Sequence, residues 1–129
     1  MREYEKMLNP IDVITEADYK KTIIKVALIY GWRVESIPDS RKVYPRETAP
    51  GFPDLVLAKA PTLLLVEVKT EHGKLSKQQA LWLLELNQCG GVQAFVARPS
   101  GWDSLEKLLR GEVLHFVKDS PGSVSIFGT

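Results

Sequence analysis

Two acids and a lysine set inside apolar runs constrain this chain more than any other feature. Asp54 follows Pro53 and precedes Leu55-Val56-Leu57. Thirteen positions on, Glu67-Val68-Lys69 closes the run Leu63-Leu64-Leu65-Val66. Short apolar runs of this kind read as buried strands. Charge inside them is expensive to desolvate unless it is paired or bound to a metal. The spacing therefore points to a site, and to a metal-dependent one.

A hairpin makes the two acids meet. If Asp54 lies opposite Glu67 in an antiparallel pair, Ala58 falls opposite Leu63. Lys59-Ala60-Pro61-Thr62 is then left as a loop. The register that joins the acids is thus also a buildable turn. Alternation puts Leu63, Leu65, Glu67 and Lys69 on one face, with Leu64, Val66 and Val68 on the other.

The flanking segments read as helices and further strands. Residues Met1 to Ile14 read as a loose lead-in with a turn at Asn9-Pro10. Thr15 is a good N-cap, and Asp18 three positions on suits a box-like cap. The helix it opens runs to Tyr30 and stops at Gly31, with Tyr19, Ile23, Ala27 and Tyr30 as its buried stripe. Trp32 to Ile37 is a strand, and Pro38 to Phe52 a long loop. Ser76 caps a second helix that reaches about Gln88, with Leu75, Trp82, Leu83 and Leu86 as its stripe. Val92 to Ala97 is another strand, and Trp102 to Leu109 a short helix. The segment after residue 110 carries two apolar runs around Pro121-Gly122, expected to form a terminal hairpin or an extended arm.

Two polar residues interrupt the helix stripes. Glu16 projects along the stripe of the first helix, and Gln79 falls in the middle of the second. Each has an ordinary explanation. Glu16 can be a first-turn acid favoured by the helix dipole and paired with Lys20, and Gln79 a satisfied buried amide. Asp54 can be a turn residue, and Glu67 with Lys69 an ion pair along one strand face. Five such placements converging on one point are better explained by a site. Its acids are hard oxygen ligands suited to Mg²⁺ or Mn²⁺. Lys69 beside them can orient water or stabilise charge developing on a phosphate.

Composition narrows the remaining possibilities. The chain has 129 residues, 44% hydrophobic and 26% charged, which is the scale of one domain with one core. No apolar run approaches the roughly 20 residues that cross a bilayer, and Met1 to Lys6 has no secretory apolar region. No membrane partner and a cytoplasmic location are expected, in keeping with the single Cys89. Two histidines and one cysteine make a zinc site unexpected. The net charge is only +1, but Lys20, Lys21, Lys25, Arg33, Arg41, Lys42 and Arg46 face only Glu35 and Asp39 in their stretch. A local basic surface of that kind can neutralise phosphates.

Taken together, Gly51-Phe52-Pro53-Asp54-Leu55, Glu67-Val68-Lys69 and Leu75-Ser76-Lys77-Gln78-Gln79 resemble the PD-(D/E)XK nuclease superfamily. More narrowly, the chain resembles the VRR-NUC group with its small stand-alone phage and bacterial members. Glu16, Gly31-Trp32, Asp39-Ser40-Arg41, Arg98-Pro99 and Trp102-Asp103 match the same pattern, which covers roughly residues 15 to 110. The resemblance implies an α/β fold with a restriction-endonuclease-like core. A central mixed sheet is flanked by helices in the order αβββαβα, and residues 111–129 form an extension of the single domain, 1–129. It implies a metal-dependent, structure-specific DNA endonuclease that cuts branched or junction DNA, with no nucleotide cofactor. Asp54, Glu67 and the Val68 carbonyl would bind Mg²⁺ or Mn²⁺. Glu16 would complete the acidic site directly or through water, Lys69 would assist the attacking water, and Gln79 would line the site. Arg41, Lys42, Arg46 and Lys20 would contact DNA. Stand-alone members resemble Holliday-junction resolvases and tend to be homodimers, which would suit Leu81 and Leu84 on the outer side of their helix. The C-terminal arm is an alternative cover for those leucines. A non-catalytic DNA-binding or assembly module that kept the fold is the alternative function.

Overall fold

A computed structural model describes residues 10–37 and 50–112 of the chain. The expected DNA contacts Arg41, Lys42 and Arg46, the Asp39-Ser40-Arg41 motif and the expected C-terminal hairpin lie outside the described residues.

Thr15 opens the first helix, α1 (Glu16–Ile29), and its side chain accepts from the Asp18 N–H at 3.1 Å. Gly31 ends the excursion with φ +87°, a left-handed conformation that a side chain resists. The chain then enters β1 (Arg33–Ser36), a strand shorter than expected. Strands β2 (Leu55–Lys59) and β3 (Thr62–Val68) form the anticipated hairpin. Leu55 pairs with Val66 and Ala58 with Leu63, the register inferred from the two acids. The ladder also takes in Lys59 and Thr62, so only Ala60 and Pro61 turn the corner, not the four residues expected. The Lys59 ammonium is occupied in the fold, donating to the Tyr30 carbonyl at 2.7 Å.

Helix α2 (Lys77–Asn87) is the crossover that lets β4 (Val92–Ala97) run parallel to β3. A 3₁₀ turn at Pro99–Gly101 leads into α3 (Trp102–Arg110). A second 3₁₀ turn, Pro10–Val13, stands where a loose lead-in was expected. Its proline presets φ for the first position of such a turn. The sheet order is β1-β2-β3-β4, antiparallel except for the last pair, with helices on both faces.

Strand alternation sorts the apolar residues into two layers. On one face Leu55, Leu57, Leu64, Val66, Val68 and Phe95 pack against α1 and α3. On the other, Leu65, Ala94 and Val96 pack against Leu83, the fully buried residue of α2. Each fully buried aliphatic side chain contributes about 1.5–3 kcal/mol relative to exposure. Polar ties close the first layer. The Trp32 indole donates to the Leu109 carbonyl at 2.8 Å, and the Tyr30 hydroxyl to Glu106 at 2.9 Å. No helix among the described residues is long and apolar enough to cross a membrane.

Candidate active site

Glu67 occupies the α2 face of β3, between the apolar neighbours Leu65 and the strand end. It is 2% exposed and is the charged side chain that the described core buries. Alternation explains why it faces α2, and the hairpin register explains what faces it. The β2–β3 ladder stops at Leu55–Val66, one position short of the acids. There the Asp54 carbonyl accepts from the Ile37 N–H at 2.8 Å, and its side chain turns to accept from the Val68 N–H, also at 2.8 Å. That bond fixes the Asp54 carboxylate beside Glu67.

Burial pushes the Glu67 carboxyl up to about 9. The neighbouring Asp54 charge and a shared-proton contact with Asp54 add to the rise, Lys69 opposes it, and Glu16 adds a smaller push. Glu67 Oε1 accepts from Gln79 Nε2 at 3.1 Å. Glu67 Oε2 is buried with no hydrogen-bond partner. The two observations about Asp54 and Oε2 agree. When both groups are ionised each can only accept, so the gap between them needs a proton or a cation. Two hard carboxylates around a buried oxygen without a donor suit a divalent ion such as Mg²⁺ or Mn²⁺.

The other expected residues divide. Gln79 is half-buried and joins Glu67 directly. Lys69 is half-buried at the end of β3, with its N–H bonded to the Ala97 carbonyl at 3.0 Å. Glu16 is exposed in the first turn of α1, ahead of the buried positions Tyr19, Ile23 and Ala27. Among the described residues no three Asp, Glu, His or Cys side chains form a group that could hold a metal unaided. Glu16 reaches the pair through its field. Lys20 is half-buried on α1.

Gly51, Phe52 and Arg98 stand in the motifs that carry the resemblance, but no role in holding the site was read for them. Gly51 has φ +86°, and a Cβ there would come within 2.7 Å of the Gln78 carbonyl carbon and the Gln79 nitrogen. The segment before Asp54 therefore lies directly on the first turn of α2. Phe52 and Trp82 meet edge to face, with centroids 5.0 Å apart. Arg98 pins the loop after Lys69, its Nη1 lying 2.8, 3.3 and 2.6 Å from the carbonyls of Thr70, Glu71 and Gly73. The Ser76-x-x-Gln79 spacing was the one local signal available, since it is that of a capping box.

The family model for the VRR-NUC domain matches residues 35–100, just over half of the chain. The chain belongs to the VRR-NUC domain family. It is therefore a nuclease domain, and the observed mixed sheet with flanking helices is compatible with the restriction-endonuclease-like core that the resemblance implied. Neither curated proteins nor solved structures give a match. The VRR-NUC match includes Asp54, Glu67, Lys69, Gln79 and Arg98, and ends before α3.

Proposed function

We propose that this chain is a divalent-metal-dependent endonuclease that hydrolyses phosphodiester bonds in branched or junction DNA. The observation that carries the reading is the buried Glu67 Oε2, which has no hydrogen-bond partner, on a side chain that neighbours the Asp54 carboxylate. Burying one acid beside another is costly in a structural role, and a Mg²⁺ or Mn²⁺ ion offsets that cost.

Asp54, Glu67 and the Val68 carbonyl are the proposed ligands, with Glu16 contributing directly or through water. When bound, the ion supplies charge that polarises a phosphoryl oxygen and acidifies water. The chain's own residues do the rest. Gln79 holds the Glu67 carboxylate in one orientation. The Val68 N–H does the same for Asp54. Lys69 orients the attacking water and neutralises charge that builds on the phosphate. Arg41, Lys42, Arg46 and Lys20 hold the backbone of the DNA, a role that sets position and salt dependence rather than sequence.

A homodimer is part of the same proposal. Leu81 remains 48% exposed on α2, while Leu84, expected to be equally open, is half-buried. A two-fold pair of sites suits DNA with two-fold character.

The test is cleavage of flap, splayed and four-way DNA with Mn²⁺. Wild type should cut at least one branched substrate in preference to linear duplex, and Lys69→Ala should lose about 10²–10³-fold in rate. If both proteins are equally inert on every substrate, the enzymatic reading is lost. DNA binding without any cleavage would favour a non-catalytic binding module.

A further inference from the structure

Glu67 is oriented by a residue that never touches it. The Gln79 side chain has one acceptor and one donor end. Its Oε1 accepts from the Ser76 backbone N–H at 2.9 Å, while the Gln79 N–H donates to Ser76 Oγ at 3.1 Å. This reciprocal pair is a complete capping box at the start of α2. An N–H can only donate, so the Ser76 contact must be made by the amide oxygen. That leaves Nε2 for Glu67 Oε1, where it lies at 3.1 Å. Ser76 Oγ, by accepting from the Gln79 N–H, holds the first turn of α2 so that the Ser76 N–H meets Gln79 Oε1, and the intact cap thereby decides which way the amide points. The amide in turn decides which oxygen of Glu67 is satisfied and which is left buried without a donor.

We infer that Ser76 is a positioning residue for the metal-binding carboxylates, acting through Gln79 on Glu67. The inference rests on the metal-dependent reading above. The same hydrogen bonds that start the helix aim the Gln79 donor, so helix capping and site geometry are one device. Gly51 supports it from behind, because its missing Cβ lets the chain lie on the Gln78–Gln79 peptide. An ordinary N-cap stabilises its helix and nothing more. This one should also change how tightly an ion is held, as outer partners of metal ligands do.

The experiment measures Mn²⁺ binding by calorimetry on the full chain, well below the melting temperature of each variant. Ser76→Ala should weaken Mn²⁺ binding about 10-fold, and Ser76→Thr and Ser76→Asp, which keep a capping oxygen, should restore it. Glu85→Gly, in the exposed part of α2, is the control for helix destabilisation alone. It should lower thermal stability while binding Mn²⁺ like wild type. Unchanged Mn²⁺ affinity in Ser76→Ala overturns the inference, and so does an equal loss in Glu85→Gly. A second readout separates this inference from the reading it rests on. The NMR resonances of the Gln79 side-chain NH₂ should show a strong hydrogen bond in wild type that weakens in Ser76→Ala. If wild type binds no Mn²⁺, the metal reading fails, and these resonances still decide whether Ser76 orients the amide. Identical Gln79 resonances in the two proteins would overturn that coupling.

Discussion

Deprotonating Glu67 places a second negative charge beside Asp54, on a carboxylate that is itself buried. Without metal its carboxyl is held up to about 9, against 4.5 for an ordinary glutamate, mainly by burial and then by Asp54. The folded state therefore keeps this proton where the unfolded chain has released it. The resulting contribution to stability is complete below about pH 4.5 and is lost progressively as pH rises towards 9. Calorimetric unfolding in EDTA should show this fall, and Glu67→Gln should flatten it. At pH 8 the glutamine variant should be more stable than metal-free wild type by about 1–3 kcal/mol, since it has no proton to release on unfolding. It should also cut no DNA. A variant with the same pH slope as wild type would show that Glu67 is not the group responsible. Added Mn²⁺ should raise the wild-type melting temperature more at pH 8 than at pH 5, because ion and proton compete for the same carboxylates.

Helix α2 and the segment Gly51–Asp54 behave as one element around the site. Gly51 is left-handed and backed against the α2 backbone, so Gly51→Ala meets both a positive φ and a 2.7 Å contact. Neither neighbour is a flexible side-chain end that can move aside. The substitution should cost more than the roughly 1 kcal/mol that separates glycine from alanine at a compatible position. It should also weaken Mn²⁺ binding by displacing Gln79, and a joint calorimetric measurement of stability and affinity checks both. Arg98 has a comparable task on the opposite side of Lys69. Arg98→Met removes the guanidinium donor shared by the carbonyls of Thr70, Glu71 and Gly73, and should speed hydrogen exchange in the 70–73 loop. Unaltered exchange there would show that the loop is held by other contacts.

Over the whole molecule, the sheet separates two apolar layers with different duties. Leu105 lies fully buried in the layer with α1 and α3, and Leu83 in the layer with α2. Either residue changed to Ala should destabilise by about 2–5 kcal/mol. Only Leu83→Ala should also reduce Mn²⁺ affinity at temperatures where both variants are folded, because α2 carries Gln79. Equal effects of the two on Mn²⁺ binding would mean that the site senses global stability alone.

Much of this architecture was legible one segment at a time. Thr15 and Ser76 were readable as caps because an N-cap satisfies donors only two or three residues away. The β2–β3 register followed from period-two alternation and the reach of a short turn, which are also local. So was the placement of Glu67 opposite the Val66 face. The pairing of Asp54 with the Val68 N–H, the approach of Gly51 to α2 and the reach of Arg98 to the 70–73 loop were not legible, since each depends on where distant segments pack. Glu16 marks the boundary most clearly. Its helical phase put it on the apolar stripe, whereas its exposure and the charge it adds near Glu67 depend on what packs around the start of α1. Short-range chemistry was enough for the caps, the hairpin register and the choice of acids that share a face. Packing in three dimensions decided which acid lost its water, which oxygen lost its donor and which helix turn aims Gln79, because desolvation is set by everything that surrounds a group and not by its neighbours in the chain.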